Sequence, residues 1–190
     1  MIIKPNTYKN INTHFGKLSK KQVEGFESFF NKWDELELTD VRWLSYILAT
    51  VWHETGTTMQ PIEEIGKGKN KKYGKRVWYN GKSYTDIKSI FYGRGHTQNT
   101  WRDIYEKLTI SNENKWDFVK KPELLLKMEP SIWATFHAMT TGLYTGKKLS
   151  SFFNEKTDDS IGARRIINGK DKAELISDYH VRFLNSIEIK

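Results

Sequence analysis

Apolar residues recur at three- and four-residue steps along most of this chain, and that periodicity predicts helices. Residues 19–34 form the clearest case. Val23, Phe26, Phe29, Phe30 and Trp33 make one stripe, and Ser19 with Gln22 fits a capping box at its start. A second helix is expected over 41–54, on Val41, Leu44, Leu48, Val51 and Trp52, with Trp43 and Ile47 widening the stripe. Thr39 or Asp40 can cap it, and Gly56 is a natural stop. Weaker helical patterns cover 102–108, 122–128 and 147–153. A stronger one covers 131–141, with Ile132, Trp133, Phe136 and Met139 inward and Gly142 near its end. Segments 159–167 and 171–187 are the last, split at Asn168-Gly169; Ile176, Tyr179, Phe183 and Leu184 give the final stripe. Residues 1–18 read as irregular or a short helix.

Residues 57–90 are the least helical. Lys67, Lys69, Lys71, Lys72, Lys75 and Arg76 crowd together with Gly66, Gly68 and Gly74, which suits a solvated, mobile loop and matches no phosphate-binding spacing. Residues 77–84 read as a hairpin turning at Asn80-Gly81. In the run Phe91-Tyr92-Gly93-Arg94-Gly95-His96-Thr97-Gln98-Asn99-Thr100-Trp101, two glycines permit close backbone approach to a ligand, and hydrogen-bonding side chains follow. There is no repeat, low-complexity tract or linker. The expectation is a mainly α fold with a small hairpin region, in one domain over 1–190.

Composition narrows the chemistry. Without cysteine there are no disulfides, thiolate metal sites or Cys nucleophiles. The five histidines form no ligand pair, no G-x-S-x-G elbow occurs, and neither metal nor cofactor is expected. The first residues lack the apolar core of a signal peptide, and no stretch approaches a membrane span. Synthesis in the cytoplasm, without membrane insertion, is therefore expected. The net charge of +8 favours a polyanion: nucleic acid, an anionic membrane surface or the acidic bacterial cell wall. An aromatic share of 14%, with seven Trp, is more than a small core needs; core packing accounts for most of these rings, and a groove in which some stack on sugars or bases is the further expectation.

Two carboxylate positions stand out. Glu54 lies seven residues after Ile47 and three after Val51, so it projects from the apolar face of the helix at its last turn. Partial desolvation and the negative helix end both disfavour the charged form there, which suits a general acid. Glu63 and Glu64 follow Pro61 on a loop and are better solvated; two carboxyls in different environments can divide into acid and base. The same residues also fit solvated surface carboxylates.

Four blocks in order resemble the family 19 glycoside hydrolases, the group of class I chitinases and bacterial or phage lysins. They are His53-Glu54-Thr55-Gly56; Met59-Gln60-Pro61-Ile62-Glu63-Glu64 with Gly66-Lys67-Gly68-Lys69 and Tyr73-Gly74-Lys75; Phe91-Tyr92-Gly93-Arg94-Gly95 with Gln98 and Thr100-Trp101; and Gly162-Ala163-Arg164-Arg165-Ile166-Ile167-Asn168-Gly169. The resemblance runs from about residue 40 to 185. It implies a lysozyme-like helical fold of two lobes with a substrate cleft between them, and inverting hydrolysis of β-1,4 links between N-acetylated sugars. Carried over by position, Glu54 is the general acid, Glu63 the general base, and Thr100 a hydroxyl that holds the attacking water; Glu64 is the alternative base. The two carboxyls of an inverting enzyme sit roughly 6.5–9.5 Å apart. Tyr92, Gln98 and Asn168 match sugar-contacting positions. His53, Trp101 and Arg165 join them as candidate substrate contacts, His53 with helix packing as the alternative. Of the adjacent Arg164 and Arg165 only one can face inward, and near Glu63 it would hold that carboxylate ionised; a surface pair is the alternative.

The chain departs from the pattern at His96, Thr97, Asn99 and Ile104. The last stands where an Asn is frequent and cannot hydrogen-bond, which implies lower activity or a remodelled subsite. Between the substrates the resemblance implies, the basic surface and the lack of a signal peptide, as in lysins released through a holin, favour peptidoglycan over chitin. A lysozyme-like endolysin acting as a monomer on the cell wall is the expectation. A chitinase, a non-cleaving wall-binding relative, and a nucleic-acid binder using residues 67–76 are the alternatives, the last without a supporting motif.

Overall fold

A computed structural model describes residues 3–113 and 115–189. The fold is mainly α. In chain order it has helices α1 (Asn6–Phe15), α2 (Lys20–Glu35) and α3 (Val41–Glu54), short strands β1 (Ile62–Glu63) and β2 (Arg94–Gly95), and helices α4 (Arg102–Ser111), α5 (Met128–Thr141) and α6 (Ala173–Leu184). Single 3-10 turns cover Lys72–Gly74, Pro122–Leu126, Leu149–Ser151 and Gly162–Ile166. The chain divides into two compact units, Met1–Met59 with Thr135–Lys190, and Gln60–Ala134.

The first unit is organised by α3. The sequence predicts an apolar stripe there, but every residue from Leu44 to Trp52 is buried, Ser45 and Thr50 included. α3 packs along α6, and aromatic rings fill the surroundings: Phe15 stacks on Phe183 at 4.2 Å, with Trp52 and Phe26 against the same ring. Local chemistry fixes the helix starts. The Ser19 hydroxyl accepts from the Gln22 amide at 3.3 Å, and the Gln22 side chain accepts from the Ser19 amide at 2.8 Å. Asp40 rather than Thr39 caps α3, accepting from the Arg42 amide at 3.1 Å. Gly25 on α2 is required by packing, since a Cβ there would lie 2.3 Å from the Met59 carbonyl oxygen.

The segments expected as helices at 122–128, 147–153 and 159–167 are single 3-10 turns instead. They are too short to repeat α-type bonding once their ends are used in turns. At Gly162, the Asp159 carboxylate accepts the backbone N–H at 2.7 Å and closes such a turn.

In the second unit β1 and β2 pair antiparallel, Ile62 opposite Gly95 and Glu63 opposite Arg94. A bridge from Arg94 to Asn99 folds the 91–101 run back on itself. Arg94 is buried at its centre, with its guanidinium 3.6 Å from the Tyr92 ring and donating to the Tyr105 hydroxyl at 3.2 Å. Phe91, Tyr105, Leu108, Phe118 and Leu125 form the core beneath. The turn at Asn80-Gly81 is as predicted, with the Trp78 amide donating to the Lys82 carbonyl at 2.8 Å and Gly81 at φ +84°.

Candidate active site

Glu54 is the last residue of α3, and its side chain is only 16% exposed. The chain supplies it with a cation. The Arg164 guanidinium, 3% exposed, donates from Nη1 to Glu54 Oε1 at 2.8 Å and from Nε to the Asp171 carbonyl at 2.9 Å. Arg164 belongs to the Gly162–Ile166 turn, which buries Ala163, Arg164 and Ile166. Its neighbour Arg165 is half exposed, donates to the Gly162 carbonyl and lies 3.6 Å from Asp159. One arginine of the pair therefore faces inward, and its anion is Glu54 rather than the expected Glu63. His53 is half-buried, and burial lowers its pKa from the ordinary value against the opposing pull of Glu54. Asn168 is exposed, and its amide donates to the Arg164 carbonyl at 3.0 Å.

Glu63 ends β1 and Glu64 follows it, still bonded to Gly93 through its backbone amide at 2.8 Å, so their side chains leave opposite faces of the ladder. Glu63 accepts the Tyr92 hydroxyl at 2.5 Å and pairs with Lys67 at 3.0 Å. The Tyr92 hydrogen bond, and after it Lys67, hold this carboxyl below the usual range. Glu64 accepts the Tyr73 hydroxyl at 3.0 Å and the Gly93 amide at 2.9 Å. Burial and then this bond push the Tyr73 phenol up to about 12.

The register separates the predicted residues. Glu63, Arg94 and Asn99 stand in one row across the ladder, and next to it the Glu64 amide donates to the Gly93 carbonyl at 2.8 Å. Gly93 has no side chain, and a Cβ there would meet Gln98 Oε1 at 2.7 Å and Glu64 Cβ at 3.2 Å. Gln98 thus falls on the side of Glu64, and Tyr92 on that of Glu63. The Gln98 amide nitrogen donates to the carbonyls of Ile62 at 3.1 Å and Gly95 at 3.0 Å. The Thr100 hydroxyl, half-buried, has no hydrogen-bond partner among the described residues. Trp101 adopts φ +69° and stands edge-on to Tyr73 and Tyr79, at 5.6 and 5.3 Å between ring centres; Tyr79 is 74% exposed. That aromatic group is invisible in the sequence, because its members lie 22 and 28 positions before Trp101.

The basic segment is not the free loop expected. Successive turns close between Glu64 and Lys75, and Gly68 packs on Gly74 so tightly that a Cβ on Gly74 would lie 1.9 Å from the Gly68 carbonyl oxygen. Through Lys67 and Tyr73 it touches both carboxylates of the 63–64 pair. The Glu63–Lys67 spacing of four was a legible signal; Tyr73 offered none. The glycines of the 91–101 run also serve packing. At Gly95, φ +88°, a Cβ would lie 2.7 Å from Ser131 Oγ. His96, Thr97 and Asn99 are buried in this turn: His96 Nδ1 lies 2.8 Å from Ser131 Oγ, and the Asn99 amide donates to the Arg94 carbonyl. Ile104 is half-buried on α4.

No group of three or more potential ligands is placed to hold a metal ion among the described residues, and no described helix is long and apolar enough to cross a membrane. Comparison with models of known families, with curated proteins and with solved structures gave no match.

Proposed function

We propose that this chain is an inverting glycoside hydrolase that cleaves β-1,4 linkages between N-acetylated amino sugars of bacterial peptidoglycan. The observation that carries the reading is the Arg164–Glu54 pair closing the buried helix α3. A carboxylate at that position, with a nearly inaccessible guanidinium as its partner, is a poor choice for stability alone, because desolvating two charges offsets most of their attraction. The guanidinium fixes the carboxyl's direction through Oε1, and the acid role places the transferable proton on Oε2. The four sequence blocks that resemble family 19 add the roles.

Glu54 gives its proton to the oxygen of the leaving sugar. A carboxylate of the 63–64 pair takes a proton from a water as that water's oxygen attacks the anomeric carbon from the opposite face, and the glycosidic bond breaks in the same displacement. Glu63 is the base by resemblance, and the Tyr92 and Lys67 contacts that hold it ionised suit that task. A second reading gives the role to Glu64, because Gln98 Oε1 stands on its side of the ladder. His53, Tyr92, Gln98, Trp101, Arg165 and Asn168 are the proposed sugar contacts. Gln98 has only its carbonyl oxygen left for that purpose, since its nitrogen is bound to backbone. No metal or cofactor takes part in this scheme. The net charge of +8 favours an anionic wall over neutral chitin.

The test is digestion of purified walls read by mass spectrometry, which reports both cleavage and linkage. Glu54→Gln should lower turnover about a hundredfold or more with the fold intact, since the amide has no proton to give. Of the 63–64 pair, Glu63→Gln should be the more damaging substitution; if Glu64→Gln is worse, the second reading replaces the first. Wall binding without any cleavage by the wild-type chain would leave a non-cleaving wall protein, and release from chitin oligomers alone would make it a chitinase.

A further inference from the structure

We infer that the hollow between the Gly162–Ile166 turn and the start of α6 is a separate binding site for a short carboxylate-bearing peptide, the kind that branches from a bacterial wall glycan; the identity of that glycan rests on the hydrolase reading above. The hollow encloses about 620 Å³, within the size of small-ligand sites (roughly 300–1,000 Å³). Its charge is uneven. Asp159 is committed to the Gly162 amide at 2.7 Å and faces Arg165 at 3.6 Å. Lys170, Lys172 and Glu174 also line the hollow, and among the described residues none of the three has an ion-pair partner, so with Asp159 set against Arg165 the hollow keeps a surplus of one positive charge. Beside them stand Ile161 and Leu175, 55% and 39% exposed, two of the few large apolar side chains this chain leaves in water.

Ammonium groups next to exposed aliphatic side chains select a ligand that carries both carboxylates and small apolar groups. A neutral oligosaccharide has no use for the lysines, and a nucleic-acid phosphate has none for Ile161 and Leu175. Peptides of alanine and glutamate have both features, and wall glycans carry such peptides whereas chitin does not.

The position relative to Glu54 gives the site a purpose. Arg164 holds Glu54 with Nη1 and the Asp171 carbonyl with Nε, so the segment leading into Lys172 is tied to the candidate acid through one guanidinium. Lys172 and Asp171 also lie within electrostatic reach of His53, the neighbour of Glu54. A glycan cleaved at Glu54 would lay a peptide branch along this edge of the first unit. The hollow would then distinguish a peptide-substituted polymer from a bare one.

The experiment is an NMR titration of the intact protein with L-alanyl-D-glutamate, using the dipeptide with both carboxyls amidated as control. Saturable shifts should centre on residues 161–175. Binding should weaken about tenfold for the amidated control, for the double variant K170Q/K172Q, and on raising salt. The double variant should also need about tenfold more peptide-bearing wall for half-maximal rate, at unchanged turnover of uncharged oligomers. No saturable shift up to about 20 mM peptide, equal binding of the amidated control, or an unaffected double variant overturns the site. Because binding is read without cleavage, the two ideas fail separately. A bound peptide with uncleaved walls removes the hydrolase reading and leaves the site, while cleaved walls with no peptide binding remove the site alone.

Discussion

Arg164 is the residue with the most to lose. It is almost wholly buried, and its two bonds join the end of α3 to the segment before α6. Truncation to Ala would leave the Glu54 carboxylate without its cation and the Asp171 carbonyl without this donor. Removing one partner of a buried pair costs on the order of 3 kcal/mol, so Arg164→Ala should shift the denaturant midpoint clearly and lower turnover of the remaining folded protein about tenfold or more. Arg164→Lys keeps the charge but cannot make both bonds from one planar fork, so it should fall between. A wild-type midpoint for Arg164→Ala would show that the pair is incidental. At Arg165, half exposed and opposite Asp159 at 3.6 Å, the same truncation should be nearly silent for stability.

At the scale of elements, the 64–75 segment is the one whose form governs the site. Five closely spaced turns and the Gly68–Gly74 contact give it a fixed path, and Tyr73 and Lys67 hang from that path onto Glu64 and Glu63. Gly74→Ala would drive a methyl into the Gly68 carbonyl, which is backbone and cannot swing aside. The expected cost is about 1–3 kcal/mol, by analogy with overpacked cores, with a loss of turnover even on short uncharged oligomers. The exposed Lys69 and Lys71 behave differently. Changing both to Gln should leave stability and oligomer turnover alone and weaken wall binding only at low salt, where charges are least screened. Equal losses on walls and oligomers from the lysine change would mean that these side chains, too, contact the sugar.

For the whole molecule, the clearest pH dependence comes from a group outside the site. His180 on α6 is 2% exposed, lies against the rings of Tyr46 and Phe153, and has no partner for Nδ1 among the described residues. Burial lowers its pKa to about 4. The unfolded chain therefore takes up this proton at higher pH than the folded one. Its contribution is whole above the unfolded value, near pH 6.5, and falls away as the pH drops toward 4, by roughly 3 kcal/mol in all. Urea midpoints measured from pH 7 to 4 should trace that decline. His180→Phe should flatten it, because a phenyl ring fills the same aromatic niche without titrating; an unchanged slope would assign the decline to other groups.

Much of this molecule was legible one residue at a time. The extents of α2 and α3, the Ser19–Gln22 box and the Asn80-Gly81 turn follow from groups within four positions of one another, and such short-range preferences act in any fold. The pairing of Glu54 with Arg164 joins residues 110 apart, and adjacency alone could not say which of two arginines would turn inward. Nor could it say that α3 would be buried on every side rather than along a stripe, since that depends on how much neighbouring structure surrounds a helix. The side of the ladder taken by Gln98 was equally out of reach. A shift of one residue in strand register exchanges the two faces, and only the pairing of 62–63 with 94–95 and of 94 with 99 sets that register. Local spacing thus decided which side chains were available to the site, and tertiary contacts decided which of them meet.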